Sequence, residues 1–196
     1  MLLEKIREYE LILASGSPRR QQLLRSAGFD FQPATDLEVD ENYPPEMQGA
    51  EIPEYLAIKK SEAYPVTLGD RDILVTADTI VLQGNRVLDK PRDAEAARAA
   101  LRMLSGRSHY VYTGVCLRSA TKRSAFVAAT EVRFGELSET EINYYIQHYK
   151  PYDKAGAYGI QEWIGYIGVE EIRGSYFNVM GLPVHMLYRE LEKFIA

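Results

Sequence analysis

ILVTADTIVLQGNRVL, residues 73–88, is the stretch whose reading decides the fold. Residues 73–83 are the strongest strand signal in the chain. Apolar residues stand on both sides of the lone acid, Ile73, Leu74, Val75 and Ala77 before it and Ile80, Val81 and Leu82 after it. Gly84-Asn85 is a turn signal, and residues 86–88 return as a short hairpin partner.

Working outward, residues 9–15 read as a second buried strand. A helix follows, with Ser17 as N-cap, Pro18 at the first helical position and Gly28 past its end; Leu23, Leu24 and Ala27 form its buried face. Residues 32–50 are rich in Pro, Asp, Glu and Asn and read as loop. Pro53 opens a second helix to about Tyr64, with Ile52, Leu56 and Ala63 on one face. Downstream, Asp93 caps a third helix that stops at Ser105-Gly106. Residues 109–118 and 123–134 form a second hairpin. Ser138 and Glu141 make a capping box, with Leu137 and Ile142 as its hydrophobic staple. Residues 151–181, rich in Gly, Tyr and Asp, read as loops and short strands around a site. A last helix from about Pro183 buries Leu187, Leu191 and Phe194. Strands and helices alternate, so the class is α/β: a mixed β-sheet with flanking helices. With no repeat, low-complexity tract or linker, residues 1–196 read as a single domain.

Composition narrows the function. A hydrophobic share of 46% and a charged share of 26% belong to a globular chain. A net charge of −5 argues against a broad nucleic-acid-binding face but leaves room for one cationic pocket. The lone Cys116 cannot close an internal disulfide and, in an apolar run, reads as a small buried hydrophobe in a reducing compartment. His109, His148 and His185 show no zinc-ligand spacing. No apolar run is long enough to span a membrane, and the mixed charges of MLLEKIREYE do not make a signal peptide. A cytoplasmic protein with no membrane partner is the expectation.

Five places can carry chemistry. LASGSPRR, residues 13–20, runs from a strand through small residues into a helix start, where free N–H groups bind anions. Ser15 and Ser17 add hydroxyls, and Arg19 and Arg20 add forked donors matched to phosphate. Positive charge is unfavourable at a helix N-terminus, so either an anion arrives there or the arginines are solvated. Asp78, in the middle of the apolar strand, is costly unless paired, hydrogen-bonded or metal-bound. It is a candidate general base or magnesium ligand, or a structural acid satisfied by backbone amides. Glu41, in the acidic loop, could share a metal with Asp78 or be solvated. Lys90 follows the first hairpin, and Lys59 and Lys60 lie on the second helix, where periodicity cannot choose the inward one. Together with the arginines these lysines would make a triphosphate-sized cationic pocket. Gln161, at the end of DKAGAYGIQ, could read a pyrimidine edge with its amide, or stand exposed beside a glycine-rich turn.

LASGSPRR, VTADTIV, LDKPRD, HYVYTGV, DKAGAYGIQ and GSYFNVMGLP, in that order along residues 13–183, resemble the Maf family of nucleoside triphosphate pyrophosphatases. The resemblance implies hydrolysis between the α and β phosphates, a divalent metal (Mg²⁺ or Mn²⁺) and a homodimer. It also implies an inosine triphosphate pyrophosphatase-like fold with two lobes around a deep cleft. It assigns phosphate binding to Ser15, Arg19 and Arg20, places the proton acceptor or metal ligand at Asp78, and adds Lys90 and Glu41. Its LAxxKA pattern selects Lys60 over Lys59, with Ser61 in place of the usual alanine. Arg19, Thr79 and Gln161 resemble the branch acting on dTTP and UTP, including modified pyrimidine nucleotides. Glu162 departs from the glycine expected after the glutamine. The rival readings are a nucleotide-binding regulator of cell division without turnover, and a phosphatase releasing orthophosphate.

Overall fold

The computed structural model describes residues 1–35, 37 and 39–196; residues 36 and 38, within the expected loop 32–50, lie outside the described residues. Among the described residues, seven strands form one mixed sheet. They are β1 (Glu10–Leu13), β2 (Gln32–Pro33), β3 (Asp72–Gln83), β4 (Arg86–Leu88), β5 (Ser108–Arg118), β6 (Arg123–Phe134) and β7 (Val169–Arg173). Their order is β2-β1-β3-β5-β6-β7, with β4 on β3. The helices are α1 (Leu2–Lys5), α2 (Pro18–Ser26), α3 (Glu51–Glu62), α4 (Ala94–Leu104), α5 (Glu139–Tyr149), α6 (Trp163–Gly168), α7 (Tyr176–Val179) and α8 (Val184–Phe194).

The chain divides into two compact units. One comprises Met1–Asp78, Thr113–Ala128 and Gly181–Ala196; the other comprises Thr79–Tyr112 and Ala129–Met180. In the first unit, β1 is parallel to both β2 and β3, with Leu13 opposite Pro33 and Val75. The buried run of β3 is continuous from Ile73 to Asp78, as its unalternating sequence requires. Helix α3 begins two residues before Pro53, and Ile52, Pro53, Leu56, Ala57 and Ser61 are its buried residues. Ala63, expected on that face, is the exposed C-cap. The helix lies so close to β5 that a Cβ on Gly114 would fall on the Pro53 carbonyl.

In the second unit, α4 packs on α5, and Leu101, Leu104, Phe134, Tyr145 and Ile160 share one buried cluster. Arg102 clasps Glu139 through two bonds, Nε at 2.6 Å and Nη2 at 2.8 Å. The local stop and start signals recur in the structure. Ser17, Asp93 and Ser138 each accept a backbone N–H as N-caps, and Gly28 leaves α2 with φ +84°. The segment 151–181 contains β7, a short strand as expected, and also the two short helices α6 and α7, which the sequence did not signal. Gln32–Pro33, read as loop, is β2.

Candidate active site

In the first unit, the start of α2 is built around Ser15. Its Oγ accepts from the Ser17 N–H at 3.3 Å and from Arg20 Nη1 at 3.2 Å. Ser17 Oγ caps the helix by accepting the Arg20 N–H at 3.5 Å. Arg20 Nε donates to the Gly181 carbonyl at 2.7 Å, which fixes the guanidinium's orientation. Burial pulls the Arg20 pKa below its ordinary value; Asp78 and Glu41 oppose that, and Arg19 adds to it. Arg19 is half-buried. Two cations at a helix N-terminus, one of them desolvated, make a local field that a phosphate chain relieves.

The second grouping is set by one buried contact. Thr76 Oγ1 donates to the Ala57 carbonyl at 2.6 Å, which locks α3 onto β3. Asp78 is two residues further along the same strand face, and Lys60 is three residues further along the same side of the helix. Lys60 Nζ therefore reaches Asp78 Oδ1 at 2.5 Å, and it also donates to Glu41 Oε1 at 2.7 Å. Asp78 is 7% exposed. Lys59 points elsewhere, to the Asn42 carbonyl at 2.9 Å and Asp40 at 3.8 Å.

Two carboxylates on one ammonium offer hard oxygens close together. Among the described residues, no group of three or more His, Cys, Asp or Glu side chains is arranged to hold a metal. One or two carboxylates completed by phosphate and water oxygens is the set that suits Mg²⁺ or Mn²⁺, so Asp78 and Glu41 fit such an ion.

Lys90, Thr79 and Gln161 belong to the second unit. Lys90 is exposed beyond β4, followed by the buried Pro91. Gln161 is half-buried, and among the described residues its Oε1 is buried with no hydrogen-bond partner. Beside it lies a polar network that the sequence reading missed. Tyr145, fully buried on α5, donates to Glu162 and accepts the Gly159 N–H at 3.0 Å. Lys154 Nζ bonds Glu162 Oε1 at 3.0 Å and Asp153 Oδ1 at 2.7 Å. Burial, then the bond to Glu162, pushes the Tyr145 hydroxyl well above its ordinary pKa. Glu162 thus turns inward to Lys154 and Tyr145. A signal for Tyr145 was available, because a tyrosine on the apolar face of α5 needs a partner for its hydroxyl. The Gly181 carbonyl carried no side-chain signature.

A mixed α/β sheet carrying a cationic helix start and a strand-borne acid paired with lysine is an α/β framework suited to handling an anion. The Maf-like protein family model matches residues 10–194, and the chain belongs to the Maf family. It is 51% identical to the dTTP/UTP pyrophosphatase of Bacteroides thetaiotaomicron over 98% of this chain and all of that one. It is 50% identical to the dTTP/UTP pyrophosphatase of Parabacteroides distasonis over the same shares. Among solved structures, the nucleoside-triphosphatase / dITP/XTP pyrophosphatase of Mycobacterium abscessus aligns at 13% identity with a TM-score of 0.43. That alignment covers 94% of this chain and 98% of that one, a likeness too distant to argue from.

Proposed function

We propose that this chain is a nucleoside triphosphate pyrophosphatase that hydrolyses dTTP and UTP to the monophosphate and pyrophosphate. Membership of the Maf family and the names of relatives at about half identity support the reaction class and substrates. The observation that carries the reading to particular residues is the buried Asp78 held by Lys60 together with Glu41. In this reading Asp78 accepts the proton of a water attacking the α-phosphorus, and the pyrophosphate leaves in line. Ser15, Ser17 and the free N–H groups at the start of α2 seat phosphate oxygens. Arg19, Arg20, Lys60 and Lys90 offset the charge that builds on the leaving group. Thr79 and Gln161 face the nucleoside, with the Gln161 amide matching the donor–acceptor edge of a pyrimidine. Mg²⁺ or Mn²⁺ on Asp78 and Glu41 would supply Lewis acidity toward phosphate oxygens and water. The protein acts as a homodimer in the cytoplasm in this reading. No helix among the described residues is long and apolar enough to cross a membrane.

A panel of nucleoside triphosphates with Mg²⁺ or Mn²⁺, with products identified, tests the assignment. Pyrophosphate and monophosphate from dTTP and UTP are expected. Orthophosphate would make the protein a phosphatase, and binding without turnover would make it a regulator. Asp78→Asn keeps shape and removes charge, and is expected to lower kcat by about 10² or more. Near-normal pyrophosphate release from that variant would overturn the role given to Asp78.

A further inference from the structure

The loop 154–162 is held in a conformation that its own residues do not favour. Gly156 and Ala157 are both left-handed, at φ +68° and φ +59°, and Ala157 is fully buried. For a residue with a Cβ that conformation is strained and persists only where the surroundings impose it. Gly156 also approaches β3 so closely that a Cβ would meet Val81 Cγ1 at 3.0 Å.

What imposes the conformation beyond Ala157 is a set of polar bonds. The Glu162 N–H donates to the Gly159 carbonyl at 2.9 Å, closing a turn with Gln161 near its end. The Gly159 N–H is taken by Tyr145 Oη, whose own proton goes to Glu162. The other carboxylate oxygen of Glu162 forms an ion pair at 3.0 Å with Lys154, itself 8% exposed. Both ends of the turn are therefore fastened to one tyrosine on α5, and both oxygens of Glu162 are engaged inside the protein. Gly159 lies where the side chains meet. A Cβ there would find Glu162 Cδ at 2.9 Å and Gln161 Nε2 and Lys154 Cε each at 3.0 Å. The Gln161 amide is thus packed against the braced turn while its buried Oε1 lacks a donor among the described residues. A buried acceptor without a donor calls for one from elsewhere, and the N3–H of a uracil or thymine ring is such a donor.

We infer that Tyr145, Glu162 and Lys154 are positioning residues: they fasten the turn at Gly159 so that the Gln161 amide is presented in one orientation to a pyrimidine base. They act through Gln161 and not by touching the nucleotide. The inference rests on the proposed dTTP/UTP reading for its ligand, but the brace itself does not.

The test uses the full-length protein as wild type, Tyr145→Phe, Glu162→Ala and Glu162→Gln. Hydrogen exchange at the Gly159 amide, measured without nucleotide, reads the brace alone. Steady-state pyrophosphate release from UTP, dTTP, ATP and GTP reads its consequence. Tyr145→Phe and Glu162→Ala are expected to speed Gly159 exchange by about tenfold. They should raise KM for UTP and dTTP about tenfold while kcat changes by less than about twofold, so that preference over ATP and GTP narrows. Glu162→Gln keeps hydrogen-bonding atoms on both sides and should recover most of both losses.

Unchanged Gly159 exchange in Glu162→Ala overturns the brace. Faster exchange with unchanged pyrimidine preference, or an equal loss for all four triphosphates, overturns its positioning role. If wild-type protein turns over neither dTTP nor UTP, the functional reading falls and takes base selection with it. Gly159 exchange still decides whether the turn is fastened as described.

Discussion

At the scale of single residues, Lys60 decides how Asp78 is tolerated. A carboxylate on a strand covered from both sides needs a partner, and Lys60 Nζ at 2.5 Å is that partner. Glu41, the third member, is half in solvent and loses little if released. Lys60→Met is therefore expected to lower unfolding free energy by about 2 kcal/mol, because it leaves the desolvated Asp78 without its hydrogen-bonded cation, with only the more indirect attraction of Arg20 remaining. Asp78→Asn in the same chain removes the orphaned charge and should restore part of the loss. Urea unfolding of the two single variants and the double variant measures this. Strict additivity of the two losses would show that the pair is not coupled. That an acid in VTADTIV had to be paired was legible in the sequence. Helical periodicity did not say which lysine pairs with it, because Lys59 and Lys60 are equally placed relative to Ile52 and Leu56; only the family's LAxxKA pattern pointed to Lys60. The choice is made by the Thr76–Ala57 bond, which fixes the rotation of α3 and exists only once strand and helix have met.

At the scale of elements, the distance between α3 and β5 is set by a missing side chain. Gly114 leaves room for the Pro53 carbonyl and the Glu54 N–H where a Cβ would stand. Backbone, unlike a flexible side chain, cannot swing aside, so Gly114→Ala must push the first turn of α3 outward. The expected cost is about 3 kcal/mol, with a loss of pyrophosphate release because the displaced helix carries Lys60. Thermal unfolding and kcat measured together check this, and a variant within 1 °C of wild type would refute the close approach. Elements differ in how visible they are beforehand for a related reason. The caps Ser17, Asp93 and Ser138 bond partners three residues away, so their signal is complete within a few residues of sequence. β2 is two residues of a polar segment that become a strand only because the edge of β1 is beside them. Helices α6 and α7, six and four residues long, are too short for a periodic pattern to emerge.

At the scale of the whole molecule, three of the four points at which the chain passes between the two units fall inside strands, among them Asp78–Thr79 in β3, and no linker or change in composition marks them. What does act on the molecule as a whole is acid. His109 is buried, its Nε2 lies 2.7 Å from Tyr158 Oη, and its ring packs edge-on against Phe134 and Tyr158. Burial pushes its pKa down to about 4. An unfolded chain binds that proton near pH 6.5, so between about pH 6.5 and 4 the unfolded state holds more protons than the folded one. Stability is then unaffected by His109 above pH 6.5 and falls progressively below it, by up to about 3 kcal/mol. A second decline begins lower, as Asp93, Glu139 and Glu141 are protonated. These carboxyls are held below their ordinary pKa by the Ala96 N–H, by Arg102 and by Ser138, so their contribution is present above the carboxylate range and lost beneath it. His109→Gln can keep a hydrogen bond to Tyr158 and has no proton to gain, so it separates the two declines. Unfolding free energy measured from pH 8 to pH 4 should be nearly flat to about pH 5 in the variant while the wild type slopes from pH 6.5. Equal slopes in the two proteins would mean that His109 is not the group through which acid first loosens the fold.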